Sequence, residues 1–401
     1  MAPAKRLQAS PSGRKNSSMK KVCALAKMKS SKLQNPKSKE ASSFKLQPPG
    51  GCARASFGIW SLGFLWSLEF GIWSFPFCLH AADAPQRPPI TGVSHIALFV
   101  HDVDKSRAFY KDFLGFDEPF SVTNKNGTLH LTWIKINDRQ TIEIFPEKEA
   151  GSDRLNHIAL ETEDALAMRA YLASRGIKVP EKVDKGRIGN LNFNVTDPDG
   201  HTVEIVQYMP EGWTLREKGK FLPETRISTR LMHVGILVGD LGEALMFYCG
   251  ILDGKEFWRG GAKSNQLSWV NVKLPDGSNY VEFMLYSTLP EPDKRGKQHH
   301  LCLEVADVEK AKATLELRAA RIAYTRPMDI ATGINRKRQL NLWDPDGTRI
   351  ELMEPRTVDG LPAPSSTAPP PRLAADRTPK AFGAALRGPI APPPRGVEER
   401  R

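Results

Sequence analysis

Four histidines and four glutamates recur at matched spacing. His95 and Glu143 are 48 residues apart, His157 and Glu204 47, His233 and Glu282 49, and His300 and Glu351 51. Each histidine opens an apolar segment (HIALFV, HIALET, HVGILV, HLCLEV), and each glutamate stands in the middle of another (TIEIF, TVEIV, YVEFM, RIELM). A single histidine at the start of a strand is usually a core or edge residue, and a glutamate on a half-exposed strand is harmless. A carboxylate inside an apolar strand is different, because it needs a partner, hydrogen bonds or a cation to offset its desolvation. Two histidines and one or two carboxylates are a standard set for a divalent ion such as Fe, Ni, Zn or Mn, with positions left open for substrate oxygens. Pairing successive units gives two candidate metal sites per chain: His95, Glu143, His157 and Glu204, and His233, Glu282, His300 and Glu351.

Such residues need strands to carry them. In each opening segment alternation puts the histidine and the residue two further on upon one face, and that second residue is small: Ala97, Ala159, Gly235 or Cys302. A small neighbour leaves room beside an imidazole. A helix-like stretch follows each strand, with an acidic residue near its start, and Gly115, Gly176 and Gly254 stand where three of the helices should stop. Each unit then runs through further short strands to its glutamate, so the natural reading is βαβββ four times over, an α+β fold. FY occurs in the helices of units one and three (Phe109-Tyr110, Phe247-Tyr248), and DPDG before the last strands of units two and four (Asp197–Gly200, Asp344–Gly347). The order A-B-A-B predicts two tandem domains, 90–210 and 228–356, joined by a linker at 211–227.

The ends differ in composition. Of a net charge of +12, the first 84 residues hold 13 basic and 3 acidic side chains, whereas residues 85–355 hold 36 and 38. The folded part therefore shows no electrostatic footprint for nucleic acid. Residues 1–56 are a basic leader. The segment 57–84, with its apolar FGIWSLGFLWSLEFGIWSFPFCL run and small residues after it, reads as a signal peptide or a membrane anchor, the chain's only expected contact with a membrane. With a signal peptide the protein is exported, and without one it is cytoplasmic. Export leaves Cys249 and Cys302 in the mature chain, too few for a disulfide framework. Residues 357–401, rich in Pro and Ala, read as a disordered tail.

The H-[IVL]-[AGC]-[LI] strand, the FY helix and DPDG before a Glu-bearing strand together resemble the vicinal oxygen chelate superfamily, which includes glyoxalase I, extradiol ring-cleaving dioxygenases and bleomycin-resistance proteins. The resemblance covers nearly all of 90–356. It implies paired βαβββ units curved around a cleft, with a metal held from the first and last strands of each unit, and the His-Glu-His-Glu set matches bacterial glyoxalase I-like members in both domains. Family members differ in how units pair, so His95 and Glu143 meet either His157 and Glu204 or His300 and Glu351. The ring-cleaving signature has a Tyr three residues before DP and a His upstream; here those places hold Asn194 and Asn341, with KGRI and TGIN upstream.

The chemistry implied is glyoxalase-like lyase or isomerase chemistry, in which adjacent oxygens of a small substrate chelate the ion and Glu143 or Glu204, or Glu282 or Glu351, acts as base. Export would separate the enzyme from glutathione, pointing to another substrate. An Fe(II) dioxygenase is the alternative, and a non-catalytic binder of the bleomycin-resistance kind the third reading. Either a monomer or a homodimer suits two such domains. Cys302 reads as a small buried side chain, His299 as a rival of His300, His130 and His201 as surface or loop residues, and Trp133, Trp269 and Trp343 as sheet-packing or cleft-lining residues.

Overall fold

The structure, a computed structural model, describes residues 85–296 and 298–373. The leader, the 57–84 segment and the last part of the tail lie outside the described residues. Among those described, no helix is long and apolar enough to cross a membrane.

Four βαβββ modules follow one another. The first domain holds β1 (Ile90–Val100), α1 (Val103–Arg107), β2 (Asp117–Thr123), β3 (Leu129–Lys135) and β4 (Thr141–Pro146), then β5 (Leu155–Thr162), α2 (Ala165–Ser174), β6 (Asp184–Lys185), β7 (Leu191–Thr196) and β8 (Thr202–Gln207). A short helix, α3 (Trp213–Arg216), lies in the connecting segment. The second domain repeats the order with β9 (Leu231–Val238), α4 (Leu241–Leu245), β10 (Lys255–Gly260), β11 (Trp269–Lys273), β12 (Tyr280–Leu285), β13 (His300–Glu304), α5 (Val308–Ala319), β14 (Ile330–Thr332), β15 (Lys337–Trp343) and β16 (Arg349–Thr357). Each domain is one curled eight-stranded sheet, ordered β2-β3-β4-β1-β5-β8-β7-β6 or β10-β11-β12-β9-β13-β16-β15-β14.

The helices start as their acids dictate: Asp102, Asp164, Asp240 and Asp307 each accept a backbone N–H of the first turn. The FY segments are π-helical, Ala108–Phe113 and Met246–Ile251, and in each the Phe and the Tyr are both buried. Gly115 and Gly176 end their helices at φ +79° and +77°. At the third helix the left-handed residue is instead Asp253 (φ 63°), and Gly254 is needed for space, since a Cβ there would lie 2.7 Å from the Tyr248 carbonyl oxygen.

The two repeated motifs meet across the domains. In each DPDG turn the first Asp accepts two backbone amides through Oδ1, from Asp199 and His201 at 3.0 and 2.8 Å, and from Asp346 and Thr348 at 3.0 and 2.8 Å. Its Oδ2 accepts the FY tyrosine of the other domain: Tyr110 donates to Asp344 and Tyr248 to Asp197, both at 3.1 Å. FY and DPDG alternate because each domain supplies one half of each contact.

The linker is packed: its Trp213 is buried, and the peptide oxygens of Glu217 and Lys220 accept from the buried Lys135 ammonium, so this segment lies on the first domain. The tail, expected to be disordered from 357, is held as far as 373. Pro364 O accepts from the Trp258 indole at 3.0 Å, Ser366 N donates to Arg259 O at 2.9 Å, and Leu267 N donates to Pro369 O at 2.9 Å. The cause is β10, an edge strand whose backbone groups need partners that this segment provides.

Candidate metal centres

Strand register decides what meets what. Within the first domain β1 runs antiparallel to β5 and parallel to β4, and β5 runs parallel to β8. One cross-strand row is Glu143, Ala97, His157, and the other is His95, Ala159, Glu204. The second domain repeats this as Glu282, Gly235, His300 and His233, Cys302, Glu351. Every small residue thus lies between a histidine and a glutamate, and any larger side chain would fill the space where the four polar tips converge. At Gly235 the demand is strict: a Cβ would come within 1.9 Å of the His300 ring.

Both sets therefore assemble within a domain, not between domains. In the first, the Nε2 atoms of His95 and His157 are 2.9 Å apart. Glu204 Oε2 lies 3.4 and 3.0 Å from them, and Glu143 Oε1 and Oε2 lie 3.5 and 3.7 Å from His95 and His157. In the second, His233 and His300 are 3.1 Å apart at Nε2, His233 is 3.2 Å from Glu282 and 3.4 Å from Glu351, and His300 is 3.9 Å from both. Ligand atoms around an ion at about 2.1 Å stand roughly 3.0–3.4 Å apart, so the donor chemistry and spacing of both sets suit a divalent ion.

The surroundings differ. In the first domain Ser94 Oγ lies 2.9 Å from His95 Nδ1, the Tyr208 hydroxyl is 2.5 Å from Ser94, and that hydroxyl is 2.7 Å from Arg139 O. His157 Nδ1 is partnered in the same way, 3.1 Å from Asn156 Oδ1. Partners at Nδ1 leave Nε2 as the donor atom for an ion. The Trp133 indole donates to Glu143 Oε1 at 2.6 Å. The tetrad opens into a cavity of about 190 Å³ whose walls include Leu131, Phe145, Trp213, Arg187 and His130.

In the second domain the space is filled. Ser94, Thr141 and Ala159 have as counterparts Met232, Tyr280 and Cys302, and Val206 has Met353, which form one buried cluster. Tyr280 stacks on His233 with ring centroids 4.5 Å apart. Arg349, standing where the first domain has Thr202, puts Nη2 2.7 Å from Nδ1 and 3.1 Å from Nε2 of His300. Among the described residues His233 Nδ1 has no hydrogen-bond partner.

Electrostatics follow these neighbours. Burial would lower the His95 pKa, but Glu143 and Glu204 outweigh it and the imidazole lies above its usual value. For Glu204 burial is overcome by both histidines, which hold its carboxyl far below the usual range. His300 is pushed well below an ordinary histidine by burial, then by Arg349 and His233. Burial raises Glu282, whereas Glu351 is lowered, burial being outweighed by His233 and Arg349. Cys302 is a buried thiol whose pKa burial raises, with Glu351 and Glu282 adding to it.

Of the two histidines expected in surface or loop positions, His201 is in a loop and His130 is in a strand. His130 is half-buried and lines the first cavity. His201 is buried, its Nδ1 2.7 Å from Asp197. His299, the rival of His300, points away from the tetrad towards Asp153, 3.4 Å distant. Trp133 belongs to the site itself. Ser94, Tyr208 and Arg349 were not singled out from the sequence, although comparing each residue next to a repeated position between the two halves would have found them.

A family model described as Glyoxalase/Bleomycin resistance protein/Dioxygenase superfamily matches residues 92–205 and 230–352. The chain is similar to a lactoylglutathione lyase of Schizosaccharomyces pombe, 22% identical over 311 residues, covering 65% of this chain and 96% of that protein. Among solved structures it resembles an extradiol ring-cleaving dioxygenase from B. fuscum (TM-score 0.53, 16% identity, 72% of this chain and 78% of that one). It also resembles a Mn(II)-bound glyoxalase from Novosphingobium aromaticivorans (TM-score 0.50, 17% identity, 77% and 97%). At these identities the structural likeness concerns the fold alone.

Proposed function

Because the chain belongs to the glyoxalase/bleomycin resistance protein/dioxygenase superfamily, we propose that its first domain is a divalent-metal-dependent lyase or isomerase for a small substrate that binds through adjacent oxygens. The observation that carries this reading is the first tetrad, open to a cavity and held by hydrogen bonds from behind. His95, Glu143, His157 and Glu204 would hold the ion, and a divalent ion bound there supplies polarisation of a substrate carbonyl and stabilisation of enolate-like charge.

The protein's own groups divide the remaining work. Trp133 fixes Glu143 by its indole N–H, so Glu143 stays in place. Among the described residues Glu204 has hydrogen bonds and ion pairs with the two imidazoles only, and so is the carboxylate that can loosen, take the substrate's carbon-bound proton at Oε2 and return it to the neighbouring carbon. Leu131, Phe145 and Trp213 exclude water around that transfer. In the second domain Tyr280, Arg349 and the Met232–Cys302–Met353 cluster occupy the corresponding space, which supports a single working site per chain.

The test loads the purified chain with Fe, Ni, Zn or Mn in turn and offers it hemithioacetals of α-ketoaldehydes, then catechols in an oxygen electrode. Metal-dependent conversion of the first, lost in Glu204→Gln, is expected. Oxygen uptake with catechols would replace the lyase reading by ring cleavage, and wild-type protein that takes up no ion would favour a binder without metal chemistry.

A further inference from the structure

Beside the second tetrad lies a chamber of about 430 Å³ that none of the four tetrad side chains lines. Tyr280 stands between them, stacked on His233 on one side and facing the chamber on the other. The outer wall is the chain's own Thr357–Ala363, fastened beyond it by the hydrogen bonds from Trp258, Arg259 and Leu267 to residues 364–369. The chamber exists because Trp133 of the first domain has Asn271 as its counterpart, a much smaller side chain.

Its lining is one-sided in charge. Lys337 and Arg356 contribute to it and no carboxylate does. Neither cation makes a salt bridge among the described residues, and Lys337 is half-buried, so its charge is poorly hydrated. Burial lowers the Lys337 pKa against the opposing pull of Cys302 and the carboxylates of Glu304 and Glu351. Asn271, only 4% exposed, has a side-chain oxygen without a hydrogen-bond partner among the described residues. Phe257, Trp258 and Tyr280 supply aromatic walls. A buried amide oxygen that calls for a hydrogen-bond donor, two cations without a salt bridge among the described residues and aromatic faces around a cavity of ligand size together describe a site for a planar organic molecule carrying one anionic group and an N–H or O–H donor.

We propose that the second domain binds a small aromatic carboxylate or sulfonate in this chamber, with Lys337 and Arg356 holding its anionic group, Trp258 and Tyr280 its ring, and the 357–363 segment closing over it. The chemistry is recognition without turnover: no tetrad residue reaches the chamber. This inference is independent of metal chemistry in the first domain.

The test titrates the full chain with 1-anilinonaphthalene-8-sulfonate and with its uncharged counterpart N-phenyl-1-naphthylamine, before and after stripping metal with EDTA. Saturable binding of the sulfonate, unchanged by EDTA, is expected. Lys337→Met should weaken it at least about tenfold while leaving the uncharged dye within about twofold. Asn271→Trp, which restores the first domain's residue, should remove both dyes, with circular dichroism confirming that each variant is folded. Sulfonate binding unaltered in both variants places the dye elsewhere and overturns the proposal, as does equal weakening of charged and uncharged dyes by Lys337→Met, or an absence of binding to the wild type.

Discussion

The two domains carry the same four ligand types in the same two cross-strand rows, yet what surrounds those ligands differs. Behind His95 stand Ser94 and Tyr208; their counterparts in the second domain are Met232 and Pro355, and among the described residues His233 Nδ1 has no hydrogen-bond partner. In front of the first tetrad lies a cavity, and in the second Tyr280 and Arg349 press on the imidazoles. Equal ligand sets therefore stand in unequal surroundings. What separates them is one shell outwards, where a few substitutions exchanged an accessible polar centre for a packed one in which Arg349 serves as the cation.

The contrast breaks most readily at the ligands. Purified protein should hold about one divalent ion per chain, falling to none in His157→Ala and unchanged in His300→Ala, as read by elemental analysis. Glu204→Gln should lower turnover by about 10²–10⁴-fold. Glu351→Gln should leave it within about twofold of wild type, and a comparable loss there would show that both domains work. Conversely, Arg349→Thr combined with Tyr280→Thr should convert the second domain towards the first and raise the metal content from about one to about two ions.

Much of this was legible in the residues. Four His-to-Glu spacings within a few residues of one another, FY and DPDG in alternation, and a small residue two places after each histidine led to four βαβββ units and the eight ligand candidates, because strand periodicity makes such positions share a face. The inequality of the two sites was not legible, since it lies in residues that touch across strands distant in sequence: Arg349 on His300, Tyr208 on Ser94, Trp133 on Glu143. Nor was the burial of His201, which follows from the other domain packing over the DPDG turn.

The DPDG turns sharpen the comparison outside the sites. Asp197 has the His201 imidazole as a partner, whereas the same place after Asp344 holds Thr348. Burial, with Asp346 nearby, raises the Asp344 carboxyl to about 6 despite the Thr348 amide. A carboxyl whose folded pKa is above its unfolded value near 3.8 stabilises fully below the unfolded value, and this contribution is lost as pH rises through about 6. The window is therefore roughly pH 4–6, with about 3 kcal/mol at stake. Asp344→Asn should remove that part of the pH dependence in denaturant titrations; an unchanged slope between pH 4 and 7 would mean the acid is ionised throughout. A smaller change is expected behind the first tetrad. Ser94→Ala or Tyr208→Phe should weaken metal binding about 10–100-fold in chelator competition, whereas equal affinity would mean that packing alone orients His95.

The smallest difference concerns the two tyrosine contacts that join the domains. Tyr110→Phe deprives Asp344 of the one side-chain donor it has among the described residues, leaving backbone amides to satisfy it, while after Tyr248→Phe the Asp197 carboxylate keeps His201 at 2.7 Å. Losing a buried hydrogen bond costs about 1–2 kcal/mol, more when the partner left behind has no substitute. Tyr110→Phe should thus lower the melting temperature by a few degrees and Tyr248→Phe by less. The reverse order would show that the hydroxyls matter less than how each ring packs, with Tyr248 resting on Phe283 at 5.2 Å and Tyr110 on Phe109 at the same distance.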